Sequence, residues 1–197
     1  MCSSLRSLLT TLAIGFILTT PVFAQNSGSS VDDQSAEHAI NISIPEVALV
    51  AVRGVSGTDI SLAPPAPTEA GANFSDLADA DSSLWLNYSH LRSSTSHPQR
   101  KIYARISNGQ IPSGFRLRLA AGNGTGAQAS SLGTPTGYVT LTSADNAIIE
   151  NIQTTYTGKG VGTGHQLIYR LEVIPGQTDQ IDFDSSSSVS VMYTISD

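Results

Sequence analysis

Hydrophobic and polar residues alternate in short stretches along most of this chain, with the period of two that is typical of β-strands. The first stretch is residues 38–44, where Ile40, Ile42 and Ile44 fall on one face. This alternation predicts a half-buried strand that ends at Pro45, which cannot donate a ladder hydrogen bond. The apolar run at residues 46–53 follows, and it predicts a strand covered on both faces.

The next alternating stretch, residues 82–91, separates the single tryptophan from the leucines around it. Leu84 and Leu86 fall on one face of the predicted strand, and Trp85 falls on the other. Residues 63–72, which come before this strand, contain three prolines and cannot lie inside a sheet. We expect them to form a long connection that crosses a sheet edge or switches between sheets.

The strongest hairpin signal is in the middle of the chain. Residues 101–107 and 115–121 both alternate, and the loop between them begins with Asn-Gly, which readily adopts the positive φ of a tight turn. These two stretches are therefore expected to pair with each other. Arg116 and Arg118 are expected on the outer face of the second one.

The remaining stretches complete a predicted all-β fold. Strands are expected at residues 138–143, 165–174 and 189–195, and residues 144–153 fit either a strand or a helical turn. About eight short strands, with no amphipathic helix, predict an antiparallel β-sandwich, Ig-like or jelly-roll-like, with a closely related barrel as the alternative. The predicted core is the alternating apolar set Ile40, Ile42, Ile44, Leu84, Leu86, Ile102, Ile106, Leu117, Leu119, Leu167, Leu171, Val191 and Ile195.

The N-terminal residues have the pattern of a cleavable secretory signal. Arg6 precedes an apolar run, and small residues at the −3 and −1 positions place the cleavage site between Ala24 and Gln25. The apolar run is too short to span a bilayer, so no permanent membrane anchor is expected. The expected domains are a signal peptide at 1–24, a polar flexible leader at 25–37 and one β-sandwich domain at 38–197.

Composition narrows the compartment and the partners. Cys2, the single cysteine, would leave with the signal, so the exported chain would hold no internal disulfide. This favours a bacterial source. The signal ending Pro-Val-Phe-Ala-Gln is Gram-negative in style, which implies transit through the periplasm to the cell surface or the medium. Charged residues make up only 13% of the chain and the net charge is −6. Nucleic acid is therefore not an expected partner, because phosphate binding needs clustered Lys and Arg.

Catalytic motifs are weak, and we expect neither enzyme activity nor a cofactor. The segment that begins at Gly54 lacks the final glycine of the G-x-S-x-G motif, and the histidines lie on separate segments. The glycine-rich segment at residues 158–164 contains Lys159. It lacks the earlier glycine and the following helix of a phosphate-binding loop, so a hairpin loop is the simpler interpretation.

Two other residue groups suggest ligands. Oxygen-rich loops can hold Ca²⁺, although the spacing of the aspartates here is not that of a helix-loop calcium site, and solvated loop acids are the alternative. Exposed aromatic side chains can stack on sugars, with core packing as the alternative. The aspartates are Asp76, Asp79, Asp81, Asp179, Asp182 and Asp184, and the aromatics are Trp85, Tyr88, Tyr103 and Tyr138.

The general plan of the chain resembles exported fimbrial or matrix-fibre subunits of bacteria. The resemblance lies in the signal ending Pro-Val-Phe-Ala-Gln, the polar leader, the Ile-x-Ile-x-Ile-Pro-Glu segment at residues 40–46 and the final Val-x-Val-x-Tyr-x-Ile strand. It implies a non-enzymatic structural or adhesive surface protein that associates with itself or with other surface subunits, as in a biofilm matrix. Ile40, Ile42 and Ile44 would then form a strand exchanged between copies. A carbohydrate- or calcium-binding module, with a polysaccharide as partner, is the alternative.

Overall fold

The computed structural model describes residues 37–126 and 132–197. Residues 44–197 form one compact unit, and residues 37–43 belong to a separate unit at the N-terminal side. The predicted cleavage residues Ala24 and Gln25 lie outside the described residues.

Ten strands are found in the described part of the chain, and they form two antiparallel sheets. Short 3-10 turns lie at Phe74–Asp76 and Thr178–Gln180. The strands are β1 (Ala48–Arg53), β2 (Ala78–His90), β3 (Arg100–Asn108), β4 (Phe115–Ala121), β5 (Thr134–Pro135), β6 (Val139–Thr140), β7 (Asn146–Ile152), β8 (Thr155–Tyr156), β9 (His165–Val173) and β10 (Ser190–Ser196).

The larger sheet has the strand order β1-β2-β9-β4-β6, and β8 pairs with the end of β2. The smaller sheet has the order β10-β3-β7-β5. Apolar side chains from both sheets meet in one core cluster. The all-β, antiparallel sandwich-like fold expected from the alternating pattern is therefore confirmed.

The centre of the core consists of fully buried residues from the inner strands. Leu86, Ile102, Leu119 and Leu167 have no exposed surface, as their position in the alternating pattern predicts. Leu84 and Leu117 are also buried, whereas four other predicted core residues are only half-buried: Ile106, Leu171, Val191 and Ile195. The stretch that fitted either a strand or a helical turn is strand β7, and it contributes three fully buried isoleucines: Ile148, Ile149 and Ile152.

The prediction that residues 38–44 form a half-buried strand is wrong for the single chain. Residues 37–47 contain no strand, and Ile40, Ile42 and Ile44 are 70%, 84% and 81% exposed. Alternation shows that a segment suits one buried face, but it does not specify the strand that would pair with it. No described strand of the same chain pairs with these isoleucines.

The predicted hairpin between residues 101–107 and 115–121 is also wrong. Strand β3 lies in the smaller sheet and β4 in the larger one, so the connection crosses from one sheet to the other. Gly109 starts this connection with a φ of 84°, and Pro112 lies inside it. Two strands that face each other across a core have the same apolar pattern as two paired strands, so the pattern alone does not separate the two arrangements.

Two expectations for the N-terminal half need correction. Strand β1 is not covered on both faces, because it is the edge strand of the larger sheet and Leu49 is 65% exposed. The proline-rich connection at residues 63–72 lies outside both sheets, as expected, but it does not switch between them, since it joins β1 to its antiparallel neighbour β2. Instead, Ile60 and Leu62, which precede the prolines, pack against the core.

Truncating isoleucines at two contrasting positions should test this burial pattern. Ile149→Ala removes three carbons from a fully buried site, so it should lower the free energy of unfolding by about 2–5 kcal/mol. Ile42→Ala should change it by less than about 0.5 kcal/mol in the monomer, because the side chain is exposed. Urea unfolding at low protein concentration measures both values. Equal losses would show that residues 38–44 are packed within the monomer.

Candidate functional site

In the described part of the chain, the outermost strands of the two sheets differ in length. Strands β5 and β6 have two residues each, and β5 includes Pro135, which cannot donate to a further strand. Strands β1 and β10 are longer, with six and seven residues. They are the edge strands of different sheets and lie next to each other. Both long edges of the sandwich are therefore on the same side.

The long edges lack the usual protection against pairing with another strand. Folded proteins commonly protect an edge with Lys, Pro, a bulge or a very short strand. Strand β10 has no charged residue between Ser190 and Ser196, and its one irregularity in register is at its first residue. Strand β1 has one charged residue, Arg53, at its end. Apart from Arg53 and this irregularity, neither edge strand has the usual protection against an added strand.

The inward side chains of the two long edge strands are less buried than those of the inner strands. The inward side chains of β1 and β10 pack against the core cluster but stay half-buried. The inward side chains of the inner strands, such as Ile102 and Leu167, have no exposed surface. We call this side of the sandwich the β1–β10 opening, and the residues that define it are Val50, Val52, Val191, Tyr193 and Ile195.

Two tyrosines connect the sheets at the β1–β10 opening. The hydroxyl of Tyr169 on β9 hydrogen-bonds that of Tyr193 on β10, so one bond joins the larger sheet to the smaller. Burial raises the pKa of both hydroxyl groups above the usual value for tyrosine, so both stay protonated at neutral pH. The bond therefore fixes the edge strand β10 to the core without placing a charge there.

Arg100, the first residue of β3, connects both edge strands at one end of the opening. Its buried guanidinium donates to the carboxylate of Glu46, which lies two residues before β1. Its Nε is 3.7 Å from Oδ1 of Asp197, the residue that follows β10. The second oxygen of the Asp197 carboxylate lies 2.6 Å from Nδ1 of His97. The start of β1 and the end of β10 are thus attached to one buried cation.

The aromatic candidates for sugar stacking do not form one platform. Tyr88 is buried in the core, and the Tyr103 hydroxyl donates to the backbone carbonyl of Asp197 beside the smaller sheet. Trp85 is half-buried on the face opposite the core leucines, as predicted. Tyr138 is 42% exposed, and the Arg118 guanidinium lies 5.0 Å from the centre of its ring.

Two of the acidic candidates, Asp79 and Asp81, accept hydrogen bonds from the chain itself. The Asp79 carboxylate accepts from the backbone N–H groups of Ala63 and Ala80, and the Asp81 carboxylate accepts from Ser83. Within residues 37–126 and 132–197, no group of three or more His, Cys, Asp or Glu side chains is arranged to hold a metal ion.

The glycine-rich loop at residues 158–164 is held by a buried side chain that the sequence analysis did not identify. Asn87 on β2 donates from Nδ2 to the carbonyl of Thr163 at 2.7 Å and accepts from the N–H of Gly160 at 2.8 Å. The loop leads into strand β9 and not into a helix. It joins β8 to β9, which pair with β2 and not with each other, so the expected hairpin loop is not found.

His165 is a second buried polar residue that the analysis missed. Its Nδ1 lies 2.8 Å from the carbonyl of Gly122, so this nitrogen carries the proton. Its Nε2 then accepts from the Tyr88 hydroxyl at 3.0 Å. Burial lowers the pKa of His165, although the hydrogen bond to Gly122 acts in the opposite direction. The inward position of His165, in step with Leu167, was the sequence signal for its burial.

The His165 network predicts how stability depends on pH. The unfolded chain binds a proton at His165 near pH 6.5, whereas the folded chain binds it only at lower pH, because its pKa is lowered. Stability from this residue is therefore complete above about pH 6.5 and decreases as the pH falls toward the folded pKa. Urea unfolding between about pH 5 and pH 7.5 should show this slope in the native protein. His165→Gln should flatten it, and an unchanged slope would contradict the assignment.

Comparisons with known proteins identify no relative of this chain. No family model matches it, and neither a curated protein nor a solved structure does. Among the described residues, no helix is both long enough and apolar enough to cross a bilayer. The function must therefore be inferred from the geometry of the chain itself.

Proposed function

We propose that this protein is an exported, non-enzymatic structural subunit that assembles into fibres by strand exchange. The segment of one copy at residues 38–44, which we call the isoleucine segment, would add to the β1–β10 opening of the next copy. The observation that carries the proposal is the exposure of Ile40, Ile42 and Ile44, whose spacing suits a strand with one buried face.

The isoleucine segment, which would be the donor strand, and the edge strand β10, which would be the acceptor, have complementary side chains. The isoleucine segment presents a side chain about every 7 Å along one face of an extended chain, which is the repeat of a β-strand. The acceptor edge β10 has half-buried residues at the same period: Val191, Tyr193 and Ile195. The backbone of the added strand would pair with the free edge of β10, and its isoleucines would cover the opening.

Burial gives this addition a driving force. Each isoleucine that passes from water to a fully buried site contributes about 1.5–3 kcal/mol. Part of that gain is offset by the entropy lost when the segment is ordered. The polar residues Asn41 and Ser43 would face water, as the outer face of an edge strand requires.

The number of sites per chain favours an open-ended assembly. Each copy carries one isoleucine segment and one β1–β10 opening, which are different surfaces of the molecule. Contact between two different surfaces is heterologous, and such contacts form filaments unless the rotation between subunits closes a ring. Together with the resemblance to matrix-fibre subunits, this supports a role in a fibre at the bacterial surface.

Substitutions at two adjacent residues should show whether the apolar face of the isoleucine segment, and not its polar face, is needed for assembly. Ile42→Asp places a charge on the apolar face, so it should abolish assembly, because a buried unpaired carboxylate is strongly unfavourable. Asn41→Asp adds the same charge on the polar face and should leave assembly intact. Sedimentation velocity over a range of concentrations, with electrophoresis of unboiled samples, measures the outcome. Native protein that stays monomeric at every concentration would disprove the proposal.

A matched pair of lysine substitutions should identify the acceptor edge. Thr194→Lys introduces a charge on β10, and Thr134→Lys introduces the same change at an exposed position of the distant edge strand β5. Only the first should block assembly, because a lysine on the accepting edge opposes strand addition. Equal effects of the two changes would show that β10 is not the acceptor.

Mixing the two defective proteins provides a further check. The Ile42→Asp protein retains its opening, and the Thr194→Lys protein retains its isoleucine segment. Together they should form dimers that grow no further, since each dimer lacks a working donor at one end and a working acceptor at the other. Either protein alone should remain monomeric. Long polymers in the mixture would contradict strand exchange at these sites.

A further inference from the structure

Three arginines surround one carboxylate on the outer face of the larger sheet. Arg116 and Arg118 extend from β4, and Arg170 extends from β9. Oε1 of Glu172 lies 2.8 Å from Nη2 of Arg116 and 3.3 Å from Nη1 of Arg118, and its Oε2 lies 3.4 Å from Nε of Arg170. One carboxylate balances one guanidinium, so two positive charges remain in excess on a chain with a net charge of −6.

The arrangement includes a like-charge pair that is unfavourable for the fold. Arg118 lies directly opposite Arg170 in the antiparallel register of β4 and β9, and like charges in this position are destabilising. On its other side Arg170 lies opposite Ala80 of β2, whose methyl group provides no countercharge. Among the described residues, Glu172 is the one carboxylate within ion-pair distance of these arginines. Glu172 supplies one negative charge between the two guanidinium groups, so it offsets only part of their repulsion, and an anionic ligand would offset the rest.

The guanidinium groups are held in place before any ligand arrives. Desolvation opposes ionisation of Glu172, but the hydrogen bonds and charges of Arg116 and Arg118 together lower its pKa, so the carboxylate is charged at neutral pH. Arg118 also lies over the Tyr138 ring, a cation–π contact. Side chains that are already ordered lose little conformational entropy when they bind a ligand.

The surroundings of the arginines determine the class of ligand. Strand β6 pairs with β4 at Arg118 and Leu119, and β9 pairs with the other side of β4, so the backbone beside Arg118 is already hydrogen-bonded and leaves little for an extended peptide. Arginine forks match carboxylates in geometry. The half-exposed Tyr138 ring and the exposed Thr140, which lies opposite Arg118, add a surface for a sugar ring and a hydroxyl group. A nucleic acid needs a longer basic track than two excess charges provide.

We propose that this arginine face, made of Arg116, Arg118, Arg170, Tyr138 and Thr140, binds an acidic polysaccharide through the carboxylates of its uronic acid residues. The face belongs to a single copy of the chain and lies on strands other than the edge strands β1 and β10. Binding therefore does not depend on assembly.

Affinity electrophoresis of the purified protein tests this proposal, with polygalacturonate as the probe. Dextran serves as the neutral polymer, and poly-L-glutamate and single-stranded DNA serve as other polyanions. Polygalacturonate should slow the protein more strongly than any of the three, and added salt should weaken the effect. The Ile42→Asp protein should bind equally well, so that failure to bind and failure to assemble remain distinguishable.

Substitutions at the face should then locate the site. Arg170→Gln and Arg118→Gln each remove a charged donor and should weaken binding by about tenfold. Arg105→Gln, on strand β3 of the other sheet, is the matched control and should bind as the native protein does. Arg170→Gln also removes the like-charge pair, so its melting temperature should be equal to or higher than that of the native protein.

Several results would overturn the proposal. One is equal retardation by polygalacturonate and by either poly-L-glutamate or DNA, which would indicate general attraction of anions. Others are native-like binding by both Arg170→Gln and Arg118→Gln, or an equal loss in Arg105→Gln. The absence of any retardation by polygalacturonate at low salt would also disprove it.

Discussion

The backbone N–H and C=O groups at the edges of its sheets constrain this sandwich more than any single contact does. These groups can be paired with another strand, protected by charge or proline, or kept to a minimum by a short strand. The chain uses the last solution at β5 and β6. It applies none of them at β10, a seven-residue strand without a charge. This unprotected edge, whose inward side chains are only half-buried, connects the fold to a proposed function in assembly.

Buried polar contacts hold this unprotected side in a defined shape. Arg100 attaches the residues that flank β1 and β10, and the bond between Tyr169 and Tyr193 joins the two sheets behind them. Without these contacts, an edge strand that pairs on one side only would be the first part of the sandwich to fray. They hold the end of β10 and its residue Tyr193 in place, as an edge that receives another strand requires.

The sequence allowed the fold class and most strands to be predicted, because period-two alternation depends only on which face of a strand is buried. Pairing between strands was not predictable in this way. The stretches that contain Ile102 and Leu117 have matching apolar faces, yet they lie in opposite sheets. The isoleucines at 40, 42 and 44 fit a buried face that the single chain does not supply.

The alternation of inward and outward positions along the strands indicated the buried polar residues better than catalytic or metal-binding motifs did. Arg100 and His165 each occupy an inward position, in step with Ile102 and Leu167, and both are buried. The partners of Arg100 were not predictable, because Glu46 and Asp197 lie far from it in sequence. The same holds for the pairing of Arg118 with Arg170, which depends on the register between β4 and β9.

The contact between Arg100 and Glu46 also has a mechanical consequence. Tension applied to the chain ahead of β1 would reach the sandwich through Pro45 and Glu46. Since Arg100 belongs to β3, it would pass part of this load directly to the smaller sheet, while β1 passes the rest to β2 in the larger sheet. Both sheets would then resist a pulling force together, which would make the domain harder to unravel from its N-terminal side under flow or shear.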